Sequence, residues 1–195
     1  MSFLERKVWF VCLGNPGLQY SETRHNAGFM VADYASFSEG FKFKRLYSFK
    51  YAKGEFANWV KPTTYMNLSG MAVGELLRRG LVRNVEDLVI IYDDFHIPIG
   101  RIKLKRAGSS GGHNGMRSII EVTGENIKRI RIGIGPKPNE VNVVDFVLGK
   151  FSHEEMLIMK SVIRGVYETC RLIVTAGFDK AQNFANGKDF SKELV

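Results

Sequence analysis

The first apolar run, Val8–Leu13, contains no polar residue and closes on Gly14-Asn15-Pro16-Gly17, the pattern of a short buried strand entering a turn. From about Thr23 to Phe37, Ala27, Phe29, Met30, Val31, Tyr34 and Phe37 recur at helical spacing. Residues 41–61 predict a β-hairpin with its turn around Lys53-Gly54. A second helix is expected from about Asn67 to Leu81, with Met71, Leu76 and Leu77 facing inward and Gly80 near its end. Leu88–Tyr92 repeats the buried-strand pattern and ends at Asp93-Asp94. Arg101–Arg106 alternates strictly, so Lys103 and Lys105 share a polar face while Ile102 and Leu104 look inward.

A glycine-rich loop, Gly108-Ser-Ser-Gly-Gly-His-Asn-Gly115, then leads into a helix through about Val122, and Lys128–Ile134 alternates again as a strand. Ser152-His-Glu-Glu155 has the capping-box spacing and opens a long amphipathic helix through about Ala176. Alternating strands and helices predict an α/β layered fold. The antiparallel segments around 41–61 and 95–106 make its central twisted sheet mixed, flanked by helices. Neither an internal repeat nor a linker divides the chain, so one domain over 1–195 is expected.

Composition narrows the classes. The 195 residues are 45% hydrophobic and 25% charged, which excludes disordered, collagen-like and disulfide-scaffold chains. Cys12 and Cys170 lie in apolar runs, as small buried hydrophobes of a reducing compartment do. The opening MSFLERKVWFVCLGNPG fits neither a signal peptide nor a membrane span, so a cytoplasmic protein without membrane contact is expected. With 28 Lys+Arg against 20 Asp+Glu, the net charge of +8 favours a polyanionic partner. Residues 101–131 hold eight basic residues against two acidic ones, and FKFKRLYSFKYAKGEF interleaves Lys42, Lys44, Arg45, Lys50 and Lys53 with aromatics. Two such stretches point towards nucleic acid.

Ligands of open α/β sheets sit outside the carboxyl ends of strands. Asn15, Asp93 and His113-Asn114 stand at such passages, and His25-Asn26 and Asn67 precede or open predicted helices. Taken singly, each is an ordinary turn or cap residue. The four histidines and two cysteines show no metal-binding spacing. GNPG lacks the dinucleotide fingerprint, the glycine-rich loop lacks the terminal lysine of a phosphate loop, and there is no G-x-S-x-G elbow. A nucleotide-dependent enzyme is therefore unsupported, and no cofactor or metal is expected.

What remains is histidine with aspartate among side-chain amides, a set suited to activating water. A neutral imidazole accepts a proton near pH 7, and a carboxylate on its other nitrogen fixes the tautomer. Asn donates and accepts without adding negative charge beside a polyanion. Of Asp93 and Asp94, neighbours on a strand end, only one should point at a given site. Spacing leaves His25 and His113 equally eligible as the base.

The stretches LGNPGLQYSETRHNAG (13–28), VKPTTYMNLSG (60–70), IIYDDFHIPIGRIKLK (90–105), GSSGGHNGMRSII (108–120), RIRIGIGPK (129–137) and DFVLGKF (145–151) together resemble bacterial-type peptidyl-tRNA hydrolases. The resemblance implies a cofactor-free, usually monomeric hydrolase that cleaves the ester between a peptide and the 3′ end of tRNA, with no obligate protein partner. It places the base on His25, its orienting acid on Asp93, and a residue that orients the catalytic groups and meets the tRNA end on Asn15. It assigns Asn67 and Asn114 to holding substrate and a water, Tyr20 and Met66 to the cleft wall, and Lys103, Lys105 and, more loosely, Arg131 to the acceptor stem. His96 stands where the family often has an acid, and Ser110 where it often has a histidine. The alternative is a non-catalytic RNA-binding protein on the same fold, as some chloroplast splicing factors are; it predicts loss of the His–Asp–Asn set, which is complete here.

Overall fold

The computed structural model describes residues 8–192; Glu5, Arg6 and Lys7, the charges ahead of the first strand, lie outside them. Seven strands form one mixed sheet: β1 (Trp9–Cys12), β2 (Lys44–Leu46), β3 (Phe49–Lys53), β4 (Asn58–Pro62), β5 (Leu88–Pro98), β6 (Ile102–Lys105) and β7 (Lys128–Gly135). Their spatial order is β2-β3-β4-β1-β5-β7-β6. The central strands β4, β1, β5 and β7 run parallel. Antiparallel β2 and β3 extend one side, and β6 the other.

Each face of the sheet carries its own core. Phe10, Cys12, Trp59, Ile91, Ile130 and Ile132 pack beneath α1 (Ala27–Glu39), α5 (His153–Ala176) and α6 (Phe178–Gly187). Val11, Leu13, Ile90 and Tyr92 pack beneath α2 (Ser69–Arg78) and α3 (Asn114–Thr123). The unbroken apolar runs of β1 and β5 reflect this two-sided burial. Strand β6 lies at an edge, and α6 covers it: Asn186 Oδ1 accepts from the Leu104 N–H at 2.7 Å and Gln182 Nε2 donates to the Leu104 carbonyl at 2.9 Å. Those bonds occupy backbone groups that a bare edge would offer to another chain. Among the described residues no helix is long and apolar enough to cross a membrane.

Several boundaries differ from the sequence reading. Residues 41–61 form three strands, because the chain also turns at Tyr47-Ser48. Tyr47 takes a positive φ of 55° without being glycine. The turn is fastened from α2, where Glu75 Oε2 accepts from the Ser48 hydroxyl at 2.5 Å and Arg79 lies over the Tyr47 ring at 3.3 Å. Met71 is 56% exposed rather than inward, because α2 buries Ala72, Val73 and Leu76 instead. Strand β5 runs on to Pro98 with an irregularity after Asp94, whose carboxylate accepts the His96 N–H at 2.9 Å. Helices α4 (Val143–Leu148) and α6 were not foreseen.

The first turn of α1 crosses the sheet with its backbone in close contact with β1 and β5. A Cβ on Gly28 would stand 2.5 Å from the carbonyl oxygens of both Leu13 and Ile91. Backbone on both sides cannot retreat as a flexible side chain can. Gly28→Ala is therefore expected to lower unfolding free energy by about 1–3 kcal/mol or more, read as a fall in the denaturant midpoint; an unchanged midpoint would mean the helix is free to lift.

Candidate active site

Three chain passages converge at the carboxyl ends of β1 and β5. The first is pinned by Asn15, whose N–H donates to Asn26 Oδ1 at 2.8 Å while Asn26 Nδ2 donates back to the Asn15 carbonyl at 3.0 Å. Asn15 Oδ1 also accepts from the Met66 N–H at 2.8 Å, so one amide ties β1 to the 3-10 turn Met66–Leu68. Met66 is buried, and its sulfur lies where a Cβ on Gly115 would be, 2.5 Å away. A side chain at 115 would have to displace either the Met66 side chain or the start of α3.

His25 sits in a second 3-10 turn, Arg24–Asn26, that precedes α1. The helix expected from Thr23 begins only at Ala27, because the turn is held from outside. The Arg24 N–H donates to the Gly149 carbonyl at 3.0 Å, its Nη1 to the Lys150 carbonyl at 2.7 Å, and its Nη2 meets Glu155 at 2.6 Å. The guanidinium also lies over the Phe146 ring at 4.6 Å. Glu155 is the same carboxylate that closes the α5 capping box on Ser152. Sequence reasoning found the capping box and missed Arg24, which links it to the neighbour of His25.

Asp93 is 1% exposed and stands between two imidazoles. His25 Nδ1 lies 2.9 Å from its Oδ2 and 3.0 Å from its Oδ1, and His113 Nε2 lies 3.1 Å from Oδ1. Asp94 points elsewhere, to Arg131 at 2.6 Å, as expected for its neighbour on a strand.

The two histidines differ in what their second nitrogens do. His113 caps α3: its Nδ1 accepts from the Met116 N–H at 3.1 Å. That nitrogen accepts, so the Nε2–H is the one that donates to Asp93. His25 gives its Nδ1–H to Asp93 and keeps Nε2 as a lone pair. The structure thereby separates two residues the sequence left equivalent.

Burial opposes charge on Asp93, yet the two imidazoles hold its carboxyl well below the usual carboxylate range. Burial likewise disfavours the His25 imidazolium, but the adjacent Asp93 carboxylate outweighs it and raises the His25 pKa above 6.5. Among the described residues, His25, Asp93 and His113 are also the one group whose donor atoms lie close enough to hold a metal, within 4.8 Å of one another. A cation there would need the His113 Nε2 lone pair, which would move its proton to Nδ1, against the Met116 N–H. The set is built as a hydrogen-bond relay.

A cavity of about 40 Å³ opens here, lined by His25, Asp93, Phe95, His113, Asn114 and three valines of α4, Val143, Val144 and Val147. It has room for a water, which needs about 10–15 Å³. The apolar wall from α4 was not legible in the sequence.

The other expected site residues spread around this centre. Asn114 is exposed on the cavity wall. Tyr20 is half-buried, edge-on to Tyr65 at 6.5 Å. Asn67 is exposed and lines a groove between α2 and α3 with Gly70 and Ser118, apart from the residues around His25. Lys103 donates to the Asn186 carbonyl at 2.6 Å, Lys105 is exposed, and Arg131 is committed to Asp94.

A model of the peptidyl-tRNA hydrolase family matches residues 9–193. The chain belongs to the peptidyl-tRNA hydrolase family. A family member from Fervidobacterium nodosum, called peptidyl-tRNA hydrolase, is 43% identical over 92% of this chain and 96% of its own. One from Staphylococcus haemolyticus is 44% identical over 91% and 97%. The crystal structure of the peptidyl-tRNA hydrolase from Acinetobacter baumannii superposes with a TM-score of 0.87 at 32% identity, covering 97% of this chain and all of that one.

The shared carboxylate makes opposite shifts testable by NMR titration of the His25 ring. The wild-type midpoint should lie above 6.5; Asp93→Asn should lower it. His113→Phe, which leaves the Asp93 charge to His25 alone, should raise it further. Equal midpoints in all three would mean that Asp93 does not control His25.

Proposed function

We propose that this chain hydrolyses the ester joining a peptide to the 3′ end of tRNA, with His25 as general base. One observation carries the assignment: His25 Nδ1 faces the buried Asp93 carboxylate, while the His113 tautomer is fixed by the α3 backbone. His25 Nε2 takes a proton from a water in the cavity, and the resulting hydroxide attacks the ester carbonyl. Asp93 stabilises the imidazolium that forms. When the tetrahedral intermediate collapses, that imidazolium returns its proton to the departing ribose oxygen, so base and acid are one group.

The Asn114 amide, on the cavity wall, donates to the developing oxyanion, a role worth about 3–4 kcal/mol in other hydrolases. Asn15 acts differently: its Oδ1 is used by Met66, so it holds the cleft wall in place and leaves its Nδ2 for the tRNA end. Met66 and Tyr20 complete that wall. We place Asn67 at the outer rim, where contact requires a substrate that reaches beyond the cavity. Val143, Val144 and Val147 suit the side chain nearest the ester, and backbone contacts elsewhere allow many peptide sequences. Lys103 and Lys105 meet acceptor-stem phosphates, which positions the tRNA without reading its bases; Arg131, neutralised by Asp94, assists from the next strand. The full His–Asp–Asn set favours this enzyme over a non-catalytic RNA binder. We read it as a cytoplasmic monomer, since one chain supplies every group and both cysteines are free and buried.

His25→Ala should reduce kcat by about 10²–10⁴-fold and leave tRNA affinity within about threefold; near-normal turnover would remove His25 from the mechanism. Because the base works unprotonated and its pKa is raised, kcat/KM should climb with pH through a midpoint above 6.5 and then level. Replacing Lys103 and Lys105 together by Ala should raise KM and flatten the log–log salt dependence by about 1.4–1.8, at about 0.7–0.9 per phosphate contact. An unchanged slope would move the acceptor stem to another surface.

A further inference from the structure

The basic stretch 42–53 forms a second feature on the opposite edge of the sheet. The register sets Arg45 directly across from Lys50, and Lys50 directly across from Lys61. Three cations therefore stand in one row across β2, β3 and β4, on the α1 face. Directly opposed like charges destabilise an antiparallel pair. Only Lys61 is compensated: its ammonium lies 2.6 Å from Asp33 and 4.5 Å above the Phe29 ring. Arg45 and Lys50 are exposed and have no carboxylate partner among the described residues.

The row borders a cavity of about 320 Å³ that reaches from Lys50 and Lys61 to Asn15 and Asn26. Its floor includes Phe29 and Pro62, and Leu18 at its mouth is 92% exposed. Asn15 and Asn26 line this cavity and are bonded to each other, and Asn26 is the chain neighbour of His25, so the cavity adjoins the turn that carries the base. Cations beside apolar surface are what an unpaired nucleic-acid strand requires: phosphates for the charges, base faces for the apolar atoms.

We propose that the Arg45–Lys50–Lys61 row and the cavity beneath it bind the sugar–phosphate backbone of single-stranded RNA, an unpaired stretch of the tRNA whose ester His25 attacks. The proposal rests on the hydrolase reading above for that strand's identity. It adds a contact surface on the opposite face and edge of the sheet from Lys103 and Lys105. Negative charge supplied by the strand relieves a repulsion that the fold leaves open.

The test is Arg45→Gln with Lys50→Gln, measured against a short unstructured oligoribonucleotide and against deacylated tRNA. Affinity for both should fall about three- to tenfold, and the log–log salt slope should lose about 1.4, two contacts at about 0.7 each for a single strand. The kcat at saturating substrate should not change. The control is Lys44→Gln with Lys53→Gln, which removes the same charge from the other face of these strands and should leave the slope intact. Equal losses in the two variants, or an unchanged slope in the first, would overturn the proposal. So would a loss confined to esters of acidic peptides with deacylated tRNA bound normally, since the row would then read the peptide. Binding of deacylated RNA needs no chemistry, so an inactive wild-type protein would sink the hydrolase reading and leave this result standing.

Discussion

A carboxylate as buried as Asp93 is tolerable only when its charge is answered, and here two imidazole N–H groups answer it from different parts of the chain. Much of the surrounding structure holds those groups in place. His113 is fixed because it caps α3, and α3 sits at its height because Gly115 lets Met66 approach. His25 is fixed because its turn is gripped at Arg24 by the α4–α5 junction and at Asn26 by Asn15. The helix after it can descend onto β1 and β5 only at a glycine. Two histidines on one acid thus acquire different duties from their far nitrogens, one spent on the backbone and one left over for water.

The uncharged fasteners around that relay have a physical logic. Asn15 and Asn26 exchange two bonds, backbone to side chain in both directions, and Asn15 accepts a third from the Met66 N–H, all without a formal charge. Carboxylates in those positions would accept but not donate, and would repel a phosphate-rich ligand a few ångströms away. The acids that do stand close are neutralised: Asp94 by Arg131, Asp33 by Lys61, Glu155 by Arg24. The cleft therefore presents one negative centre, and that centre is covered.

Features governed by local rules were legible in the sequence. The buried strands β1 and β5, the alternating β6, the glycine-rich entry to α3 and the Ser152–Glu155 capping box follow from period and turn chemistry, and all are present. Features set by distant partners were not. Nothing in Leu46-Tyr47-Ser48 announces a turn, because Glu75 and Arg79 of another helix stabilise it. No spacing separates His25 from His113, because the distinction is made by the Met116 N–H. Alternation correctly sent Asp93 and Asp94 to different partners, yet could not show that Arg131 would be one of them. Asn67 shares the sequence neighbourhood of Met66 and opens onto a different groove, because adjacent residues of a 3-10 turn face different ways.

The same limit applies to counting charge. The stretch 101–131 dominates the formal surplus, but much of it is spent inside the molecule. Arg129 is buried and donates to the carbonyls of Ile127, Ser109 and Glu125, which holds the glycine-rich loop. Arg131 pairs with Asp94, Arg106 with Asp179 and Arg101 with Asp189. A cation that is buried, as Arg129 is, or already satisfied by a carboxylate, as the other three are, releases little counterion when RNA arrives, so these four contribute little to the salt dependence of binding. The smaller cluster on β2 and β3 has fewer acids near it and keeps Arg45 and Lys50 exposed. Electrostatic reach towards a polyanion therefore depends on which cations the fold leaves uncommitted, and that count is more evenly divided between the two edges of the sheet than the linear sequence implies.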